Sequence, residues 1–272
     1  MSRDATPADV IAGRARWCVV EGDAMAVLAS LPDGCIDAVV TDPPYSSGGA
    51  FRVDRTASTD KKYTGTSHQG RRPDFAGDAR DQRSWAYWSA LWLGECLRVA
   101  VPGTARLLAF TDWRQLPTLT DAVQAGGWIW RGICVWDKTE AARPTPGGFK
   151  NQAEYAVWCS NGPLPAPATG NGGLQGVFRE SVKQADKHHQ TGKPTALMRA
   201  LVRVAAPMGI VLDPFAGSGT TGVAALAEGR RVILVERTSE YAEIARRRCE
   251  AAEAGTDWKA APEQQKMFKV AS

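Results

Sequence analysis

Residues 210–236, IVLDPFAGSGTTGVAALAEGRRVILVE, restrict the possible folds more than any other stretch of the chain. An apolar run ends at Asp213, glycines follow at 217, 219 and 222, and an Ala/Leu segment leads to a second apolar run ending in Glu236. Short, continuous apolar runs bounded by turn signals read as strands buried on both faces. Two of them joined through a helical segment form a βαβ unit, which requires a parallel sheet. Glycines at the turn tolerate positive φ and let a ligand approach the backbone, and the helix start offers free N–H groups. An acid closing the next strand is placed to accept hydrogen bonds from two ribose hydroxyls. The glycine turn and Glu236 are therefore candidates for contact with a nucleoside-containing ligand. The GSGTTG hexapeptide also matches a dinucleotide fingerprint, so NAD stays open on this stretch alone. A Walker phosphate loop is excluded, because no lysine follows the glycines.

The rest of the chain continues the alternation of short β-rich runs and helical patterns. Further strands are expected at 17–21, 38–41, 105–111, 133–136 and 154–159, giving seven with 210–213 and 232–236. Helices are expected at 24–31, from 81 to just before Pro102, and at 221–227. Trp85, Trp88, Leu91, Trp92 and Leu97 follow a helical period, which implies packing against the sheet rather than a base-stacking surface. At 272 residues, 44% of them apolar, one large domain over 1–272 is expected, with a mostly parallel sheet and helices on both faces.

Two stretches break the pattern: a Gly/Ser/Thr-rich basic segment at 46–80 and a Pro/Gly-rich one at 161–187. The 252–272 tail is polar. A net charge of +4 permits a polyanionic partner without requiring one. Six scattered cysteines without a CxxC pair read as buried free thiols in a reducing cytosol, and the three histidines lack metal-ligand spacing. With no long apolar run and no signal-like start, a cytoplasmic protein without membrane or metal partners is expected.

A second motif sits early, in VVTDPPYSSGG at 39–49. By itself, Asp42-Pro43-Pro44-Tyr45 is either a proline turn ending a strand or a rigid holder for a flat substrate. Taken with DPFAGSGTT, TDPPY resembles the amino-group DNA methyltransferases, which use S-adenosylmethionine (AdoMet) to methylate adenine at N6 or cytosine at N4. DPPY comes first and the glycine loop late, preceded by HHQTGKPTALMRALVRVAAPMG. That is the permuted order of the family's β group, whose middle motifs ICVWDKTEAARPTPGGFKNQAEYAVWCSNG also resembles. The resemblance covers roughly residues 17 to 248 and is weakest at 46–80 and 161–187.

This resemblance implies a Rossmann-like AdoMet-dependent methyltransferase fold with circularly permuted motifs. It places Asp213, Pro214, Phe215, Ala216, Gly217, Ser218, Gly219 and Thr220 around AdoMet, Glu236 on its ribose, and Thr191, Lys193 and Pro194 by its methionine end. The alternative for Lys193, a solvated surface lysine, is the lesser reading. Asp23 matches the acid beside the cofactor adenine, and reads as well as the N-cap of helix 24–31. Asp42 and the Pro43 carbonyl would accept the two hydrogens of the target amine and localise its lone pair toward the methyl group. The prolines would preorganise these acceptors, and Tyr45 would stack on the base. The base must be flipped out of double-stranded DNA.

Phosphate contacts are expected from Arg52, Arg55, Lys61, Lys62, Arg71 and Arg72 in the basic loop. Arg143, Lys150, Arg179, Lys183 and Lys187 are further candidates near a short target-recognition segment. An aspartate opening DPPY leans toward adenine, with cytosine N4 as the alternative. Methylation of a protein glutamine or RNA uses an Asn-Pro-Pro-Tyr site with the AdoMet motif first, and an NAD oxidoreductase leaves DPPY unexplained. A homodimer, with helix 85–97 contributing, is compatible with the resemblance.

Overall fold

The computed structural model describes residues 4–46, 80–142, 144–164, 173–181 and 192–256. Eight strands form one sheet: β1 (Trp17–Glu21), β2 (Ala38–Thr41), β3 (Arg106–Thr111), β4 (Ile129–Asp137), β5 (Ala153–Ser160), β6 (Val177–Arg179), β7 (Ile210–Asp213) and β8 (Arg231–Glu236). Their spatial order is β1-β8-β7-β2-β3-β5-β4-β6. Only β5 runs against its neighbours; every other pairing is parallel. The N-terminal β1 lies beside the late β8, with Trp17 opposite Val232, so the two ends of the chain complete one half of the sheet. This is the spatial counterpart of the permuted motif order.

All seven expected strands form, and β6 is an eighth that the pattern did not announce. It has three residues, of which only Phe178 is buried, too few to register as an alternation. Strand β4 begins four residues before its expected start, because Ile129, Trp130 and Arg131 are exposed and break the apolar pattern. A register shift lies between Trp130 and Gly132, where a Cβ on Gly132 would meet the Trp158 ring nitrogen at 2.8 Å.

Seven helices are described: α1 (Pro7–Ile11), α2 (Ala24–Ser30), α3 (Gln82–Val99), α4 (Leu116–Ala125), α5 (Thr195–Val202), α6 (Thr220–Ala227) and α7 (Ser239–Ala254). Alternate residues of the buried strands feed two cores. Val39, Leu107 and Leu212 pack with residues of α1–α4 on one face. Val40, Leu108 and Val211 pack with those of α5–α7 on the other. The tryptophan stripe behaves as expected at Trp85 and Trp92, both wholly buried, but Leu91 is 44% exposed and does not join it. The six cysteines are free; four are buried as expected, but Cys35 and Cys134 are only partly so.

Strand order fixes where a ligand can sit. From β7 the chain crosses through α6 to β8 on one side; from β2 it crosses through α3 to β3 on the other. The crevice between the carboxyl ends of β7 and β2 is thus the switch point of the sheet, the usual ligand position in such folds. DPF leaves β7 and DPPY leaves β2, so both motifs open onto it.

Candidate active site

Three buried side chains tie the two motif turns together. Thr41, the last residue of β2, donates its hydroxyl to Asp213 Oδ1 at 2.7 Å, and Thr221 in the first turn of α6 donates to Asp213 Oδ2 at 2.5 Å. The Phe215 N–H completes the set at 3.1 Å. The tryptophan helix adds a brace to each motif. Trp85 Nε1 donates to the Pro44 carbonyl at 2.7 Å, while the Phe215 ring lies 5.4 Å from Trp88 and 5.1 Å from Trp92. Gln115 Nε2 donates to the Tyr45 carbonyl at 2.9 Å. Stacking on the sheet was legible in the helical period; bracing of both motif turns was not.

Burial pushes the Asp213 carboxyl up to about 6, against the pull of its three hydrogen bonds. The folded value exceeds the unfolded one, so the native state holds a proton that the unfolded chain releases as pH rises. Stability contributed by that proton is present at low pH and declines by about 3 kcal/mol between roughly pH 4 and 6. Asp213→Asn, whose amide the Thr221 hydroxyl can accept, removes this titration. Across that window the melting temperature of the wild type should fall relative to Asp213→Asn, and parallel melting curves would refute the assignment.

The glycine loop is stiff rather than open. Gly217 and Gly219 have φ of +50° and +79°, which their lack of a side chain permits. The Gly217 N–H donates to Glu236 Oε2 at 2.8 Å, and the Gly219 N–H to the Ala216 carbonyl at 2.8 Å. Two amides of the glycine turn are therefore committed within the protein. Glu236 Oε1 also accepts the Thr238 N–H at 2.8 Å, and burial raises this carboxyl despite those bonds. A carboxylate oxygen has capacity for a second hydrogen bond, so Glu236 remains suited to a ribose diol at the end of β8. The donor set and the position at the switch point thus fit an adenosyl cofactor.

From behind, Arg248 of α7 donates to the Ser218 carbonyl at 2.7 Å, to the Ser218 hydroxyl at 3.0 Å and to the Thr220 hydroxyl at 3.1 Å. Arg248 was not anticipated, although a signal existed: it lies seven residues after Tyr241 and three after Ala245, on the buried stripe of α7. Asp23 caps α2, accepting the Met25 N–H at 3.0 Å and the Ala26 N–H at 3.4 Å, and is otherwise exposed.

Around DPPY the structure brings together residues far apart in sequence. Tyr45 donates its hydroxyl to Asp42 Oδ1 at 2.6 Å; Lys193 Nζ lies 2.5 Å from Asp42 Oδ2 and 3.3 Å from Glu154 Oε2. Glu154, on the reversed strand β5, also holds Lys138 at 3.1 Å through Oε1. The Lys193 ammonium sits 5.4, 5.1 and 6.0 Å from the ring centroids of Tyr45, Phe110 and Trp136. At 5% exposure Lys193 is no surface lysine, and its ammonium is directed at the DPPY carboxylate. Pro194 follows it, buried, at the start of α5.

Burial raises the Asp42 carboxyl, with Lys193 and Tyr45 pulling the other way. Burial also works against the Lys193 charge, but Asp42 and Glu154 more than offset it and hold the ammonium above its ordinary value. For Glu154, burial pushes upward, but Lys193 and Lys138 together outweigh it and lower the carboxyl. Burial and then Asp42 raise Tyr45 well above the usual phenol range, so it is a hydroxyl donor at neutral pH.

Thr191, Arg52, Arg55, Lys61, Lys62, Arg71, Arg72, Arg143, Lys183 and Lys187 lie outside the described residues. The ends of the basic segment, however, meet beside DPPY: the Arg80 N–H donates to Ser46 Oγ at 3.3 Å, one residue after Tyr45. Arg179 pairs with Glu140 at 2.6 Å and Asp137 at 3.7 Å, and Lys150 donates to the Glu140 carbonyl at 2.8 Å. Both are engaged in the turn between β4 and β5. Among the described residues no group of His, Cys, Asp and Glu could hold a metal, and no helix is long and apolar enough to cross a membrane.

Known proteins resemble this chain in sequence and in fold. YubD of Escherichia coli (strain K12), which carries the name of a methylase, is 29% identical over 247 residues, 88% of this chain and 96% of its own. TTHA0409 of Thermus thermophilus, solved in complex with S-adenosyl-L-methionine, superposes with a TM-score of 0.61 at 22% identity, covering 87% of this chain and 96% of its own. The PvuII DNA methyltransferase (cytosine-N4-specific) superposes with a TM-score of 0.65 at 15% identity, covering 93% and 90% of the two chains. The family model described as DNA methylase matches residues 36–247, from the strand before DPPY into the helix that carries Arg248, and the chain belongs to this N6/N4 family of AdoMet-dependent DNA methyltransferases.

Proposed function

We propose that this enzyme transfers the AdoMet methyl group to the exocyclic N6 of a flipped-out adenine in double-stranded DNA. The observation that carries the reading is Asp42 at the switch point, with one oxygen set by Tyr45 and the other by Lys193. A carboxylate is a stronger acceptor than a hydroxyl, and an aromatic amine needs a strong one because its lone pair is delocalised into the ring. Bound AdoMet supplies an electrophilic methyl on a sulfonium. Asp42 accepts one amine hydrogen and the Pro43 carbonyl the other, which favours a pyramidal nitrogen with its lone pair toward that methyl. After transfer the nitrogen carries one proton too many, and Asp42 is the acceptor already bonded to it. Pro43 and Pro44 restrict the backbone, Trp85 and Gln115 anchor it, and the acceptors need no reorganisation as charge develops.

Glu236 and residues 213–220 hold the adenosyl end of the cofactor. The basic residues 52–72, whose segment starts and ends beside Tyr45, neutralise phosphates around the flipped base. Cytosine N4 presents the same amine chemistry and is the alternative, favoured by the likeness to the cytosine-N4-specific PvuII enzyme. Incubation with methyl-labelled AdoMet and unmethylated double-stranded DNA, then nucleoside chromatography, should place the label in N6-methyladenine. Label in N4-methylcytosine would transfer the assignment to the alternative, and unlabelled DNA would refute both.

A further inference from the structure

Lys138, Glu154, Lys193 and Asp42 form a ladder of alternating charge, with steps of 3.1, 3.3 and 2.5 Å. It runs inward from a partly exposed lysine, through β5, to the first residue of DPPY. The Asp42 side chain is 23% exposed at the crevice, whereas Lys193 behind it is 5% exposed. Lys193 therefore approaches Asp42 from the protein side and leaves the crevice side to the base. Glu154 lies in the one reversed strand, so its position near the start of β5 falls at the same sheet edge as the ends of β3 and β4. Its pairing opposite Trp136 confirms this. Burying a lone ammonium or carboxylate costs several kcal/mol, so each member of the ladder depends on the next.

Resting on the reading that Asp42 accepts the target amine, we propose that Lys193 and Glu154 are positioning residues for methyl transfer. Lys193 fixes the inner oxygen of Asp42, Tyr45 fixes the other, and Glu154 holds Lys193 in place from behind. The charged and titratable groups around Asp42 are Tyr45 in the same turn, Asp112 after β3, Lys138 after β4, Glu154 on β5, Lys193 before α5 and Asp213 on β7. Lys193 favours the ionised form of Asp42, and Glu154 opposes it.

The sign of the pH response follows. Activity that needs ionised Asp42 fails on the acid side, and Lys193→Met should move that limb upward by about one pH unit or more. Glu154→Gln removes a neighbouring negative charge and should move the same limb downward, while lowering kcat by roughly tenfold because Lys193 loses its second anchor. Asp213 titrates in this region in every variant and cannot produce shifts of opposite sign.

The experiment is a pH–rate profile at saturating AdoMet for wild type, Lys193→Met, Lys193→Arg and Glu154→Gln, with AdoMet affinity from calorimetry. Opposite shifts, partial recovery of the acid limb in Lys193→Arg, and AdoMet affinity within about threefold are expected. Shifts of the same sign, or none, would overturn the ladder. So would AdoMet binding weakened more than about tenfold with kcat retained, which would put Lys193 in the cofactor pocket. Should Lys193→Met fail to fold, the downward shift of Glu154→Gln decides the question alone. Wild-type turnover in Asp42→Asn would instead remove the underlying reading of Asp42, whereas an inactive Asp42→Asn without the opposite shifts would remove only the ladder.

Discussion

Replacing Asp42 by alanine is expected to lower methyl transfer to DNA by about a thousandfold or more, with AdoMet affinity changed by no more than a few-fold. The size follows from removing a preorganised acceptor at the nitrogen where positive charge develops, an effect typically worth two to three orders of magnitude in kcat for one such group. Here the loss is compounded. Asp42 is also the acceptor for Tyr45 and the nearer carboxylate to Lys193, so alanine releases both groups bonded to it. The residues proposed to hold the cofactor stand apart. Asp213 is tied to Thr41, Thr221 and the Phe215 N–H, and Glu236 to Gly217 and Thr238, through bonds that do not involve the Asp42 carboxylate. Lys193 keeps Glu154 as a partner in the variant, so the fold should survive with a lower melting temperature. Labelled-methyl incorporation at saturating AdoMet measures the first quantity and calorimetry the second. Full turnover in Asp42→Ala would remove the amine-acceptor role, and an Asp42→Asn variant of the same shape would separate loss of charge from loss of volume.

Local motifs carried most of this site in the sequence, because they act through neighbouring backbone. A strand ending in DPPY and another ending in DPF can be placed once the βαβ alternation is recognised, and strand order then forces them into one crevice. What the sequence withheld is of another kind. Lys193 and Asp42 are 151 residues apart, and Glu154 belongs to neither motif. Nothing local says that a lysine between Gly192 and Pro194 is buried, since that depends on which rings, here those of Phe110 and Trp136, close over it. Arg248 was hidden for the opposite reason. It ends a run of three arginines that reads as a solvated face, while the 3.6-residue period puts only Arg248 on the stripe with Tyr241 and Ala245. The hydroxyls of Thr41 and Thr221 stood in plain view, but the carboxylate joining them lies on a third element. Pairwise chemistry between elements is where pattern reading ends and tertiary structure begins.

The second large effect separates a ligand-facing glycine from a packing one. Read as a fingerprint, Gly219 looks like a position kept bare so that a cofactor can approach. In the structure, a Cβ built on Gly219 would meet the Ala245 side chain at 2.8 Å and its Cα at 2.9 Å, on the α7 side of the loop. Gly219 also has φ of +79°, where a side chain is strained. Left-handed backbone costs about 1–2 kcal/mol for a non-glycine residue, and overpacking a filled site typically adds about 1–3 kcal/mol. Gly219→Ala should therefore destabilise the protein by about 3 kcal/mol, lowering the melting temperature by roughly 10 °C for a chain of this size. The crowding is specific, which allows a sharper check. Adding Ala245→Gly removes the Cβ at 2.8 Å but neither the backbone contact nor the positive φ, so the double variant should recover part of the loss and stay below wild type. A Gly219→Ala protein that melts like wild type but fails to bind AdoMet would instead show that the missing side chain makes room for the cofactor, as the fingerprint alone suggests. The geometry favours the opposite result: a loop whose shape is set from behind by α7, through Arg248 on Ser218 and Ala245 against Gly219, with AdoMet binding lost only to the extent that this support is lost.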